Sequence, residues 1–228
     1  MNRHDLLLRA AVLDGPEALD CWRMWRSTVT VDELDSDAQW LLPLLYQNLC
    51  DHGVGADELV RYAGVYRHHW YRNLLLFRQA EVAHGVHGTH RSVVVGGAAI
   101  ALERPDRIGA RPFEVVETLD PVNQLFGDPV DAELIGRACT VVWRGRSWSV
   151  LDAADHLVLV CRRRERAETR SSLLWLADAA TLIGLHPDLD WARVSSLADE
   201  LGSSAEVAAA LDDVGRRCGV ALPQKAGG

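Results

Sequence analysis

Paired cysteines are missing from this chain. Its five cysteines, Cys21, Cys50, Cys139, Cys161 and Cys218, are odd in number, widely scattered and form no C-x-x-C pair. That argues against both a disulfide framework and a structural zinc site. Long apolar runs are missing too. No window approaches the roughly 18 uninterrupted apolar residues of a membrane span, and the N-terminus, MNRHDLLLRAAVLDGPEALDCW, carries charges on both sides of a short apolar stretch instead of a signal-peptide core. These absences predict a cytoplasmic protein. Positive charge is also in deficit. The formal net charge of -8 and a pI near 5.6 give no general affinity for nucleic acid or for an anionic membrane. No internal repeat or low-complexity segment interrupts the chain, apart from the loose tail PQKAGG.

What is present suits a globular protein. With 228 residues, of which 48% are hydrophobic, the chain can bury one sizeable core or two small lobes sharing an interface. Residues 1–90 read as a helical lobe, because apolar positions recur at three- and four-residue intervals through HDLLLRAAVL, DCWRMWRSTVTVDEL and SDAQWLLPLLYQNLCDHG. Ser36 with Asp37 offers a helix start and Gly53 a stop. A long helix follows over DELVRYAGVYRHHWYRNLLLFRQAEVAHGVHG, with Tyr62, Val65, His69, Leu76 and Val82 able to share an apolar face.

Residues 91–151 replace helical periodicity with β-branched runs, glycines and prolines, which predicts strands near 92–96, 113–118 and 139–150. Helical periodicity returns over 152–222. His186 and Pro187 separate one helix from the next, and Asp190 caps the segment that begins at Trp191. Residues 223–228 form a tail. The expected class is α+β and mostly helical, with a small central mixed sheet between N- and C-terminal helical regions.

The order of the short motifs carries a resemblance. A helical lobe with WLLPLLYQNL precedes a long helix with RNLLLF, then a strand running into VVVGGAAIAL, then VLDAADHLVLVC, SLLWLADAATLI and LDWARVSSLA. From about Trp40 to Leu211 this resembles an uncharacterised bacterial nucleotidyltransferase-like family. That family is a branch of the polymerase-β-type nucleotidyltransferase superfamily often found beside genes for peptide natural products. The resemblance implies a sheet of nucleotidyltransferase type. It also implies where the chemistry would be: a glycine-rich turn whose backbone N–H groups approach phosphate, followed by an aspartate-x-aspartate strand and a third carboxylate that together hold Mg²⁺.

This sequence departs from that pattern. The turn reads Gly96-Gly97-Ala98-Ala99, with glycine where the family has lysine. Arg107 could match the family arginine, which would put Arg111 and Phe113 at the aspartate positions. Alternatively, Phe113-Glu114-Val115-Val116-Glu117 is the later strand and the metal-binding hairpin has been deleted; the deletion is preferred because the chain is short for the family. Neither alignment leaves an Asp-x-Asp pair, and Glu114 and Glu117, three apart, would point to opposite faces of a strand. Neither a metal nor a cofactor is therefore expected.

Other chemistry-bearing residues have bland readings beside the functional ones. The histidine steps His84, His87 and His90 include two glycines that weaken a helix, so a metal-binding face is not expected there, and His156 reads as a packed residue. Arg162, Arg163, Arg164 and Arg166 form a dense basic run, either a solvated helix end or a contact for an anion or acidic peptide. Most tryptophans lie in amphipathic patterns, whereas Trp143 and Trp148, flanking Arg144-Gly145-Arg146 in a hairpin, are candidates for an exposed partner surface.

Two functions fit. One is a catalytically degenerate nucleotidyltransferase-fold protein, a binding or accessory module with a protein or peptide partner in a biosynthetic pathway. Gly96 and Gly97 would then be the remnant of the phosphate turn. The other is an enzyme with changed chemistry in the cleft between helical lobe and sheet, using Glu114 or Glu117 as acids and Arg107 or Arg111 as bases. A polar pocket with converging Glu and Arg side chains would favour the enzyme.

Overall fold

The computed structural model describes residues 1–29, 34–86, 92–121, 123–162 and 173–223, with the backbone alone for 83–86. Four helices come first: α1 (Arg3–Val12), α2 (Pro16–Thr28), α3 (Ser36–Asp51) and α4 (Ala56–Val86). Their ends follow the local chemistry. Asn2 accepts the Asp5 N–H at 2.8 Å and Asp35 accepts the Ala38 N–H at 2.9 Å, each satisfying a donor that the first helical turn leaves orphaned. Asp35 is thus the α3 cap, and the helix begins at the expected Ser36. The Ala38 bond is also the leading reason the Asp35 carboxyl titrates below its ordinary value. Gly53, at φ 72°, turns the chain out of α3.

The sheet region begins with β1 (Val93–Val95), which runs without a break into α5 (Gly96–Glu103). It continues through β2 (Glu117–Leu119), α6 (Val130–Arg137), β3 (Cys139–Trp143) and β4 (Arg146–Val150). The strand order is β2-β1-β4-β3, with β1 antiparallel to β2 and parallel to β4, and β3 antiparallel to β4. Arg144 and Gly145 both take positive φ at the β3–β4 turn, the backbone a two-residue hairpin needs to match strand twist. All three β1 residues are buried, as a central strand covered on both faces requires. Its alternation divides the interior: Val93 and Val95 join the large core with Leu119, whereas Val94 joins a smaller core with Phe77, Phe113, Trp148 and Val150.

Four helices complete the described chain: α7 (Ala153–Arg162), α8 (Leu174–Leu185), α9 (Trp191–Glu200) and α10 (Ser204–Cys218). The expected break between α8 and α9 is present, with Asp190 accepting the Arg193 N–H at 2.9 Å. The large core is continuous from Leu6 in α1 through Val158 in α7 to Val214 in α10, so N- and C-terminal helices share one interior. The protein is a mostly helical α+β fold with a small mixed sheet.

Several sequence expectations need correction. The strand expected over 113–118 is confined to Glu117–Leu119, because its partner β1 is only three residues long and the register offers three pairs. Val82 does not share the inner face of α4; it is 65% exposed, as only one side of that helix packs. Trp70, whose amphipathic setting fits a core or lobe-interface anchor, is 40% exposed. Trp148, expected at the surface, is buried, because alternation along β4 turns it toward Phe77, ring to ring at 5.4 Å. Trp143 is half-buried, 5.1 Å from the same ring, with the Arg144 guanidinium over it.

Candidate functional site

The glycines and arginines proposed for the cleft fall into two neighbouring places. The first is the β1–α5 turn. Gly96 has φ 67°, which a side chain would strain, so this glycine is required by the backbone. Gly97 is not required in that way: a Cβ there would meet Arg111 Cγ and Phe113 Cβ at 3.6 Å and the Pro112 carbonyl at 3.7 Å, ordinary contact distances. Those neighbours show what faces the turn. The chain's own Arg111–Phe113 segment lies against it.

Glu117 is the first residue of β2 and pairs with Val95, the residue before the turn. It is the only carboxylate in that strand. Asp120, just beyond, is turned away to hold a loop, accepting the Asn123 N–H at 2.9 Å and its side-chain amide at 2.8 Å. Glu114 is exposed and lies outside the strand. Mg²⁺ favours several oxygen ligands in near-octahedral array, and the donors beside the turn do not fit it. No group of three or more potential metal ligands exists among the described residues.

The second place is a pocket of about 130 Å³ between α1, α3, α5 and α8. Its polar wall contains Asp14, Asn48, Arg104, Arg107, Arg111 and Thr181. Both proposed bases, Arg107 and Arg111, therefore meet there, and neither Glu114 nor Glu117 does.

The segment from Arg104 to Phe113 delivers those arginines as a strap across the helices. Asn73, buried on α4, donates its side-chain amide to the Ile108 carbonyl at 2.6 Å and to the Arg111 carbonyl at 2.8 Å. Gly109 lets the strap touch α4 directly: a Cβ would lie 2.7 Å from Trp70 Cβ and 2.9 Å from Tyr66 Cζ.

With its backbone fixed, Arg111 reaches to α8. Its side chain is 3% exposed, Nη1 lies 2.6 Å from Asp178 Oδ1, and Nη2 donates to Thr181 Oγ1 at 2.6 Å. The contact with Asp178 is a charge contact outside hydrogen-bond geometry. Burial lowers the Arg111 pKa and Asp178 opposes that shift. Arg107 pairs with Asp51 of α3, and Arg104 with Asp106 at 3.3 Å.

These guanidiniums are held in ion pairs, Arg111 fully buried and Arg104 and Arg107 partly exposed, and a guanidinium that keeps its proton can position an anion but cannot serve as a base. A larger open groove of about 540 Å³, lined by Trp22, Arg26, His52 and Glu58 among others, is similar in kind. Arg26 pairs with Glu58 at 2.6 Å, and both His52 ring nitrogens hold backbone groups, those of Gly15 and Asn48.

Sequence reasoning missed a buried ionic hub. Asp155, in the first turn of α7, has a side chain with no exposure. It accepts from Arg137 Nε at 3.1 Å and Arg193 Nε at 2.5 Å, tying α6 and α9 to α7. No spacing announces this, since the partners lie 18 and 38 residues away. His156 beside it is fully buried.

Of the basic run, Arg162 ends α7 with its guanidinium 4.9 Å from the Phe126 ring centroid. Arg163, Arg164 and Arg166 lie outside the described residues, as do His87 and His90 and the side chain of His84. No described helix is long and apolar enough to cross a membrane. Compared with family models, curated proteins and solved structures, the chain matches none.

Proposed function

We propose that this chain is a binding module that has the strand–glycine–helix arrangement of a nucleotidyltransferase-like fold without its metal-dependent chemistry. The resemblance in motif order suggests an accessory role in a bacterial biosynthetic pathway, of the kind that makes peptide natural products. One observation carries the loss of chemistry: the Arg111–Phe113 segment packs on the Gly97 side of the turn, and the adjoining strand offers Glu117 as its single carboxylate. Phosphoryl-transfer catalysis is almost entirely positioning and charge neutralisation by metal and cations. Beside this turn the donor set for the metal is incomplete, and the nearest guanidinium, Arg111, is held by Asp178. The alternative, an enzyme using the arginine pocket, would have Asp14 as the acid in the pocket wall, but both of its proposed bases, Arg107 and Arg111, are already in ion pairs.

Calorimetric titration with ATP and Mg²⁺ tests the proposal. The expected result is no binding tighter than about millimolar, worth only about 4 kcal/mol. Micromolar, metal-dependent binding of a nucleoside triphosphate that disappears in Glu117→Gln would instead favour the enzyme.

A further inference from the structure

We infer that the outward face of α4 is a docking surface for an acidic amphipathic helix of a partner protein. The inference rests on observations separate from the loss of nucleotidyl transfer. Val60, Tyr71, Leu75 and Val82 are 66%, 62%, 43% and 65% exposed. Their separations of eleven, four and seven residues correspond to whole helical turns, so they form one line along the helix. Such a line is an apolar spine facing water.

Arginines edge it on both sides. Arg61 and Arg72 lie on one flank, and Arg67 and Arg78 stand at the opposite margin of the line, at about the angle of Val60, where they alternate with the apolar residues; each pair is eleven residues, about 16 Å, apart. From Leu59 to Ala80 the helix contains no acidic residue. The acids that bracket this stretch, Glu58 and Glu81, pair with Arg26 and Arg146 instead. Among the described residues, none of the four arginines has an ion-pair partner; Arg67 Nε contacts only the Ala63 carbonyl of its own helix, at 3.3 Å. Four such cations concentrated on one face of a chain with net charge -8 are a strong local reversal of sign.

Charge complementarity selects the occupant. A helix with an apolar stripe and carboxylates on both edges would cover the spine and meet both arginine pairs. A second copy of this chain would set arginine rows against arginine rows. A bilayer requires a continuous apolar face, and Arg67 and Arg78 interrupt this one. A nucleic-acid backbone would leave the apolar spine uncovered and would face the acidic remainder of the molecule.

The probe is a synthetic 22-residue peptide of leucine, alanine and glutamate, with leucines in one stripe and glutamates on both edges, titrated into the full chain by fluorescence anisotropy. A scrambled peptide of the same composition, a 22-base-pair DNA duplex and phosphatidylserine vesicles are the comparison ligands. At about 150 mM salt the striped peptide should bind with micromolar affinity, at least about tenfold tighter than the scrambled one, with no measurable binding to duplex or vesicles. Arg61→Glu with Arg72→Glu should weaken it at least about tenfold, and Leu75→Ser several-fold. Circular dichroism checks each variant, and Arg67→Gln with Arg78→Gln replaces the charge reversal if that pair unfolds the chain. Absent binding, equal binding of the scrambled peptide, duplex or vesicles, indifference to the substitutions, or a sedimentation profile showing a dimer through this face would each overturn the inference.

Discussion

The two faces of α4 belong to one helix and obey different rules. Its inner face holds Asn73, Phe77 and the half-buried His69, and the fold uses each of them. Asn73 anchors the strap, Phe77 centres the small core, and His69 packs beside Trp40 with ring centroids 6.0 Å apart. The outer face presents apolar side chains and arginines that no packing in the described fold accounts for. Where a residue is explained by the fold, changing it should cost stability. Where it is not, changing it should cost an interaction instead.

Phe77 gives the largest expected effect. Its ring is 1% exposed and lies 5.3 Å from Phe113, 5.1 Å from Trp143 and 5.4 Å from Trp148. Phe77→Ala should destabilise by about 3–5 kcal/mol in urea denaturation, whereas Leu75→Ala, two residues away on the outer face, should stay within about 0.5 kcal/mol. Equal losses at the two positions would erase the distinction between the faces.

A smaller effect is expected where the strap meets the helix. Gly109→Ala would force the strap or Trp70 to shift, costing about 1–3 kcal/mol. Because the strap carries Arg107 and Arg111, a crystal structure of this variant should also show longer contacts from those residues to Asp51 and Asp178. An unchanged midpoint would mean that the strap is not pressed against α4.

The smallest effect depends on pH. Burial, then His68 and Arg72, lower the His69 pKa from 6.5 to about 4. Between those values the unfolded chain binds a proton that the folded chain does not. His69 therefore makes stability fall as pH drops from about 6.5 toward about 4, and it makes no such contribution above that window. Allowing for partial exposure, the loss is about 1–2 kcal/mol. Denaturation midpoints of His69→Leu should vary less across the window than those of the unsubstituted chain; parallel profiles would show that His69 titrates normally.

The candidate site is only half legible in the sequence. The turn at Gly96 is readable because a β-branched run followed by glycine is a local signal, and the Arg144-Gly145 hairpin is readable for the same reason. A cleft using Arg107 and Arg111 can be expected from their position, but their partners cannot. Asp178 is 67 residues beyond Arg111, and Asp51 precedes Arg107 by 56. Nothing in the spacing of either pair signals contact. Trp148 and Val82 are misplaced by sequence reasoning because each lies in an element with two faces, and the element's own residues do not say which face the neighbours will cover.

By itself the sequence determined where the chain becomes helical, where the central strand runs into its glycine turn, and that no Asp-x-Asp pair follows it within residues 91–151. Periodicity, backbone freedom and side-chain chemistry act over a few residues and are written in consecutive positions. Only the tertiary structure decided that β2 would stop at three residues, that the arginines of the strap would be neutralised in ion pairs, and that the described residues would leave one side of α4 uncovered. Those outcomes depend on the length of a partner strand, on charges brought together from distant parts of the chain, and on which surfaces the packed helices leave uncovered.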